Sequence, residues 1–378
     1  LDKFISISVG QGDAFYLERG SKRILIDGGK SRRGFAGQFE RIVGAPSVDV
    51  LVCTHADADH INGLLGFFEA GLTAREVWLP GSWTSRLSEL LSSPQDFFLE
   101  IVDQIESRED IEASNLEELA DNYYKHEEGC SIDDSEQKIN LEYISDAIEN
   151  ASYYKGIYNI LRPIDWLGYW HSSINRKQFN LFMDAIDTAE KIRELSILSY
   201  HSGAKIRWFE FDDHQNPSGG EEYLKPVNSR EILQVSKRRD ALMYLALSKA
   251  NRESLVFYSP NSDNYCDVLF SADSDFSFNH KLPNIGGNSI ITTPHHGSEH
   301  NKNAYLELKN QNLITRQSIL VRSDGRFKSR PGKSYKSLSA KKACTLCKHP
   351  DTERQDIVFV SSHSGWRRRK GVVWCHCT

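Results

Sequence analysis

Val50-Leu51-Val52-Cys53-Thr54-His55-Ala56-Asp57-Ala58-Asp59-His60-Ile61 is the stretch whose reading decides the fold. The unbroken apolar run from Val48 to Cys53 reads as a strand buried on both faces, because a half-exposed strand would alternate with polar residues. Directly after it come His55, Asp57, Asp59 and His60, more potential ligands than a single metal ion needs. Alternation along an extended segment puts His55, Asp57 and Asp59 on one side. His60 can turn in from the start of a helix expected over Ile61 to Ala70. Reactive groups in α/β sheets gather at the carboxyl ends of strands.

Two further segments repeat this strand-then-ligand pattern. Val268 to Ser271 leads into Asp273, and Ser289 to Thr292 leads into Pro294-His295-His296-Gly297. Three separated segments thus deliver imidazoles and carboxylates to one edge, where a carboxylate such as Asp273 can bridge two ions. That is the donor set of a two-metal hydrolytic centre, in which water is activated between divalent ions. A polar loop with Asp59 capping a helix would explain the His-x-Asp-x-Asp-His run alone, but not the three units in order.

The remaining pattern frames this centre. Phe4 to Val9, Ala14 to Leu17, Arg23 to Ile26 and Glu76 to Leu79 read as strands, with turns at Gly10-Gln11-Gly12-Asp13 and Asp27-Gly28-Gly29. From Ser82 to Arg193 the chain turns helical and polar, with apolar residues at helical spacing over Leu87–Leu91, Phe97–Ile105, Leu116–Tyr124 and Gln178–Ser196. Lys205–Phe211, Ser254–Tyr258, Ser318–Val321 and Asp356–Val360 return to strand character. The expected organisation is a first half of the core over 1–82, an acidic helical insertion over 83–195, a second half of the core over 196–343 and a basic C-terminal segment over 344–378.

Five motifs occur in order: Val9-Gly10-Gln11-Gly12-Asp13-Ala14, Ile24-Leu25-Ile26-Asp27-Gly28-Gly29, Thr54 to His60, Leu269 to Asp273, and Pro294-His295-His296-Gly297-Ser298. Together they resemble the metallo-β-lactamase superfamily, specifically its competence-protein (ComEC-type) branch, over roughly Phe4–Pro80 and Arg252–Val360. The resemblance implies an α/β fold, the αββα sandwich, with metals at one edge. By the same resemblance Asp27 orients the histidine loop, and His55 and Asp57 hold one ion. Asp59 and His60 hold the other, Asp273 bridges, and His295 or His296 completes the second ion. Asp59 and His60 are then the catalytic pair, with Asp59 steering the attacking hydroxide. The chain departs from the superfamily at Asp57, where a second His is commoner. It departs again before Asp273, where Asn251 is nearest to an expected His, and at Ser329-Arg330-Pro331, where Gly-His-Pro is frequent. More carboxylate and less imidazole lets manganese compete with zinc.

Cys344-x-x-Cys347 and Cys375-x-Cys377 have spacings that suit one structural zinc, pinning a last strand over Gly371–Trp374. The alternative is that Cys344 and Cys347 are small buried residues on a helix. His363, after the Asp356–Val360 strand, is an outlying candidate for the site.

The chain has 378 residues, 39% hydrophobic and 26% charged, which fits a globular protein. No apolar run reaches about 18 residues, so no transmembrane helix is expected and the membrane is excluded as a partner. Seven cysteines without framework spacing favour a reducing cytoplasm. The net charge of −6 hides a marked asymmetry. Leu87–Asn150 holds nineteen acidic and three basic residues, and Arg316–Thr378 holds four acidic and fifteen basic. Arg326, Lys328, Arg330, Lys333 and Lys336 cluster before an expected helix, and Arg367-Arg368-Arg369-Lys370 is expected in a hairpin turn between Phe359 and Val372. Such density favours a polyanion, so the leading expectation is a nuclease acting on DNA or RNA, with a regulated role in bacterial antiviral defence. The other readings are a small-molecule phosphoester, lactone or amide hydrolase with a pocket lined by Trp78, Trp83, Trp166 and Trp170, and a partner-regulated protein that docks through its acidic insertion. In the latter the insertion masks the basic face by charge pairing.

Overall fold

The central strands send alternate side chains into two different cores, which is why their sequences are apolar without a break. Ile24, Ile26, Val50, Val52 and Trp78 enter one core, while Leu25, Leu51 and Val77 enter another. The same alternation separates Val268 and Phe270 from Leu269, and Ile319 and Val321 from Leu320. Each sheet is therefore covered on both faces.

The computed structural model describes residues 1–107, 113–126, 140–151, 174–261, 266–323, 330–346 and 354–375. A nine-stranded sheet has the order β15-β14-β1-β2-β3-β4-β5-β6-β8. Its strands are β1 (Lys3–Ser6), β2 (Phe15–Arg19), β3 (Lys22–Ile26), β4 (Ser47–Val52), β5 (Thr73–Pro80), β6 (Lys205–Phe211), β8 (Ser229–Ile232), β14 (Ile357–Ser362) and β15 (Gly365–Arg368). A six-stranded sheet has the order β13-β12-β11-β10-β9-β7. It contains β7 (Lys225–Pro226), β9 (Phe257–Ser259), β10 (Val268–Phe270), β11 (Ile290–Thr292), β12 (Ile319–Arg322) and β13 (Lys341–Cys344). One core joins the sheets face to face. The outer face of the first sheet packs on α1 (Arg32–Val43) and α2 (Ala58–Glu69), and that of the second packs on α9 (Lys302–Asn310). This is the mixed α/β arrangement of the metallo-β-lactamase fold, an αββα sandwich. Among the described residues, no helix is long and apolar enough to cross a membrane.

The described helices between β5 and β6 share their core with the rest of the molecule. They are α3 (Leu87–Ser92), α4 (Pro94–Ser107), α5 (Leu116–His126), α6 (Glu142–Glu149) and α7 (Arg176–His201). Phe97, Ile101, Leu116, Ile144 and Ile192 are buried in the same cluster as Leu25, Leu51 and Val77, alongside Tyr244 and Leu245 of α8 (Ala241–Lys249). The helices extend the outer layer of the first sheet.

Several expectations need correction. Gly371–Trp374 carries no strand, and β15 is the last strand among the described residues. Arg367 and Arg368 lie in β15 rather than in a turn, because the hairpin closes earlier, between Ser362 and Gly365. Cys344 ends strand β13 and is not helical. The helix after the basic cluster, α10 (Lys333–Lys336), is a single turn. Strand β9 begins at Phe257, since a 3₁₀ turn over Asn251–Glu253 delays it. Trp78 and Trp83 are fully buried in the two cores of the first sheet, while Trp166 and Trp170 lie outside the described residues.

Helix α2 crosses the turn after β3 backbone to backbone. A Cβ on Gly63 would lie 1.8 Å from the Gly28 carbonyl oxygen, and one on Gly28 would lie 2.5 Å from the Leu64 nitrogen. No rotamer change relieves a clash with backbone. Gly63→Ala is expected to destabilise the protein by roughly 3 kcal/mol, the upper end of the overpacking range, read from the midpoint of urea unfolding at constant slope.

Candidate metal centre

Asp27 follows β3 with φ of 57°, a left-handed conformation costly for a residue with a Cβ. The strain aims its buried carboxylate across the end of β4. Oδ1 accepts from the Thr54 backbone N–H at 2.9 Å, and Oδ2 accepts from the Thr54 hydroxyl at 2.8 Å. Oδ2 also accepts from His60 Nδ1 at 2.8 Å.

These contacts decide the histidine tautomers. The Thr54 hydroxyl has one proton and gives it to Asp27, so its 3.0 Å contact with His55 Nδ1 is a donation from the ring. The lone pair of His55 is therefore on Nε2. His296 Nδ1 faces the Ser323 carbonyl at 3.0 Å and Asp13 Oδ1 at 3.1 Å, both acceptors, so it too carries the proton. His295 Nδ1 faces Asn301 Oδ1 at 3.3 Å, and the Asn301 amide is oriented by donating to the Asp273 and Ser274 carbonyls. Each ring donates through Nδ1 and turns Nε2 inward, the usual support of a metal-binding histidine.

The inward atoms converge. His60 Nε2 lies 3.3 Å from Asp273 Oδ1, and His296 Nε2 lies 3.6 Å from both Asp273 Oδ1 and Asp59 Oδ2. Ligand atoms of His55, His60 and Asp273 lie within 4.8 Å of one another, as do those of Asp59, His60 and His296, and those of Asp13, Asp273 and His296. His55 Nε2, His60 Nε2 and Asp273 Oδ1 are buried with no hydrogen-bond partner. Each such group costs about 1–3 kcal/mol unless something fills its valence, and a divalent cation does so for all of them together. Imidazole with carboxylate suits zinc or manganese. The residues present fit a metal, and the overlapping triads give room for more than one ion.

The electrostatics agree. Burial, with His60 alongside, pushes His55 down to about 4, so it is neutral and ready to coordinate. Burial also opposes charge on His60, but Asp273 and Asp27 outweigh it and raise the imidazole well above its ordinary value. Burial would raise Asp273, yet His296, His60 and His295 hold it well below the carboxylate range. Asp13 is pushed up to about 6 by burial despite its contact with His296.

Not every sequence candidate reaches this cluster. Asp57 pairs instead with Lys249 at 3.4 Å, and Lys249 also binds Asp184 at 2.8 Å. Strand-like alternation fails here because α2 begins at Ala58, which rotates Asp59 and His60 inward and leaves Asp57 outside. Asn251 donates to Glu117 at 2.9 Å, and its Oδ1 is buried without a hydrogen-bond partner. His295 has 13% side-chain exposure and lies 3.8 Å from Asp273 Oδ2, so it stands at the mouth while His296 is buried. His363 is exposed in the β14–β15 turn, at the end of the sheet away from the cluster.

Other residues were not singled out from the sequence. Asp13 sits in the quoted Gly-Gln-Gly-Asp motif, and only the fold shows it behind His296. Glu117 and Asp121, one turn apart on α5, interact electrostatically with His295, and Glu117 also with Asp57 and Asp273. The carboxyl of Glu117 is raised first by desolvation and then by Asp57. The single hint in the sequence was the i, i+4 spacing of the two acids.

Of the cysteines, Cys344 is buried, accepts from Arg322 Nε at 3.4 Å and packs on Cys375; Cys347 and Cys377 lie outside the described residues. Arg326 and Lys328 are also outside them. Arg330 and Lys333 flank Gly332, whose N–H donates to the Gly297 carbonyl at 2.8 Å, directly behind the two histidines. Arg367, Arg368, Arg369 and Lys370 are exposed at the edge of the first sheet, with the Arg368 guanidinium 5.1 Å from the Trp374 ring.

Residues 7–74 match the family model of the metallo-beta-lactamase superfamily, a span that holds Asp13, Asp27, His55, Asp59 and His60. No curated protein matches the chain. The family match and the clustered donors point to a metal-dependent hydrolase.

The protein is expected to co-purify with zinc or manganese. Asp273→Asn should lose most of it and Asp57→Asn should retain it, measured by elemental analysis of folded protein. Metal loss in Asp57→Asn equal to that in Asp273→Asn would overturn this ligand set.

Proposed function

We propose that this chain is a metal-dependent nuclease that hydrolyses phosphodiester bonds of DNA or RNA. The observation that carries this reading is the hydrogen bond from Gly332 to Gly297, which fastens the segment bearing Arg330 and Lys333 onto the loop of His295 and His296. Basic side chains beside a metal centre suit a phosphate backbone, which they bind with little regard to sequence. The ComEC-type likeness of the five motifs supports the same substrate class.

In this reading His55, His60, His296, Asp59 and Asp273 would hold two divalent ions, with Asp13 behind His296 accepting from its Nδ1. Bound ions supply Lewis-acid polarisation of a phosphoryl oxygen and lower the pKa of water. Asp27 and Thr54 keep the imidazoles in the binding tautomer. Asp59, which accepts from Gln11 Nε2 at 3.4 Å, is a buried carboxylate of the cluster that would orient the attacking water. His295 presents an Nε2 lone pair at the mouth, where it takes a proton from that water. Arg330 and Lys333 hold the backbone on the histidine-loop side.

One observation favours regulation of this same activity. Glu117 and Asp121 set negative charge at the mouth, which discourages a polyanion from that side. Among the described residues no ion pair joins the acids of Leu87–Asn150 to the bases of Arg316–Thr378; Glu89 and Glu100 pair with Arg86, and Glu89 also with Arg238. A protein partner that shifts α5 would relieve the repulsion, as befits an effector held in check in antiviral defence.

Cleavage of plasmid, linear and single-stranded nucleic acid with manganese, magnesium or zinc tests the proposal beside His60→Ala and Asp273→Asn. We expect metal-dependent cutting that weakens with added salt and falls at least about 100-fold in both variants. A metal-loaded wild type that cuts no polymer but hydrolyses a small phosphoester would replace the nuclease reading. Glu117→Gln with Asp121→Asn is expected to raise kcat/KM on nucleic acid several-fold at low salt; an unchanged value would remove the regulatory role of α5.

A further inference from the structure

An open pocket of about 420 Å³ is formed by Ser8, Gly37, Gln38, Arg41, Arg354 and Asp356. It lies where β1, α1 and the start of β14 meet. We propose that it is a phosphate-binding subsite, holding a backbone phosphate of the nucleic acid that is cut at the metal centre; in that respect it rests on the nuclease reading.

The charge in the pocket is poised for an anion. Arg354 is held by neutral acceptors, with Nε donating to Ser8 Oγ at 2.6 Å and Nη2 to Gln38 Oε1 at 3.4 Å. Among the described residues no carboxylate pairs with Arg354, and its Nη1 makes no hydrogen bond. Asp356, the lining carboxylate, is already shared by Arg41 at 3.2 Å, the Ser8 N–H at 2.9 Å and Gln38 Nε2 at 3.3 Å. Arg41 is 64% exposed and so keeps donors toward solvent. Two guanidinium groups facing one occupied carboxylate leave a net positive pocket, and the planar fork of arginine suits phosphate oxygens.

Its position also fits. The Arg354 guanidinium stands 3.9 Å from the place a Gly10 Cβ would occupy, and the same turn continues to Gln11 and Asp13. Gln11 donates to the Asp59 carboxylate, and Asp13 N–H donates to the Asp59 carbonyl at 3.1 Å. Gly10 and Asp13 are three residues apart, at most about 11 Å, or roughly three nucleotide rises of about 3.4 Å. The opposite flank is acidic. In the sheet order, β14 and β1 lie on one side of β3 and β4, and β5 lies on the other; β5 runs into the 3₁₀ turn over Gly81–Ser85, on which α8 packs, and α5 packs on α8. A polyanion is repelled by Glu117 and Asp121 and drawn toward Arg354.

The test is binding of a fluorescent single-stranded 12-nucleotide DNA with phosphorothioate linkages to full-length protein as purified, across a salt series, with cleavage of unmodified DNA measured in parallel. Arg354→Glu is expected to weaken binding at least about tenfold at low salt and to reduce the slope of log affinity against log salt by about 0.7, one phosphate contact. Arg354→Lys should keep most of the affinity, and metal content should be the same in all three proteins. If the wild type cuts DNA but Arg354→Glu binds with unchanged affinity and slope, the subsite falls and the nuclease reading stands. If binding depends on Arg354 but no nucleic acid is cut, the subsite stands and the nuclease reading falls. A wild type that neither binds nor cuts overturns both.

Discussion

The buried carboxylate of Asp27 is the constraint on which the centre depends. An ionised carboxylate withdrawn from water costs several kcal/mol unless its oxygens are satisfied, and here Thr54 and His60 satisfy them. The requirement works in both directions. Asp27 needs those donors, and it thereby fixes the Thr54 hydroxyl, which fixes the His55 tautomer, while also fixing His60. The left-handed backbone at Asp27 and the glycine-on-glycine crossing of Gly28 and Gly63 bring α2 close enough for this to happen. A similar device stands on the other sheet. Ala272, His295 and His296 all have positive φ, and Asp13 and Ser323 hold the His296 ring.

The centre lies where the two sheets meet at the carboxyl ends of β3, β4, β10 and β11. Donors from both sheets face each other across that line, so neither half of the core can form the cluster alone. The stretch between β5 and β6 takes part as well. Leu116 N–H donates to Asp184 at 2.9 Å, Asp184 binds Lys249, and Lys249 binds Asp57 beside the metal cluster. The acidic helices are thus tied to the histidine loop through charges as well as through the shared core. The result is a mouth with unlike sides, acidic along α5 and basic toward Arg354 and toward Arg330 and Lys333.

Much of this was legible in the residues. The strand before His55 was readable because a strand buried on both faces is apolar throughout, and the same signal marked β10 and β11. The donors at the ends of those strands followed from the chemistry of His and Asp. Helices α1 and α8 were not read, α8 because it is apolar around its whole circumference and so shows no period. Extended alternation grouped Asp57 with His55 and Asp59, whereas α2 begins at Ala58 and Asp57 pairs with Lys249. Asp13 was quoted within a motif but had no visible role, since its partner His296 is 283 residues away.

The sequence by itself determined which side chains can bind a metal, that they follow buried strands, and that acid and base are segregated along the chain. These are local properties, set by residue chemistry and by the period of apolar residues. Only the tertiary structure decided which donors share a site, because His55, His60, Asp59, Asp13, Asp273 and His296 come together through sheet order and inter-sheet packing. It also decided which nitrogen of each ring is free and which charges face the mouth. Both depend on hydrogen-bond partners far away in the chain, and no local pattern encodes a partner's position.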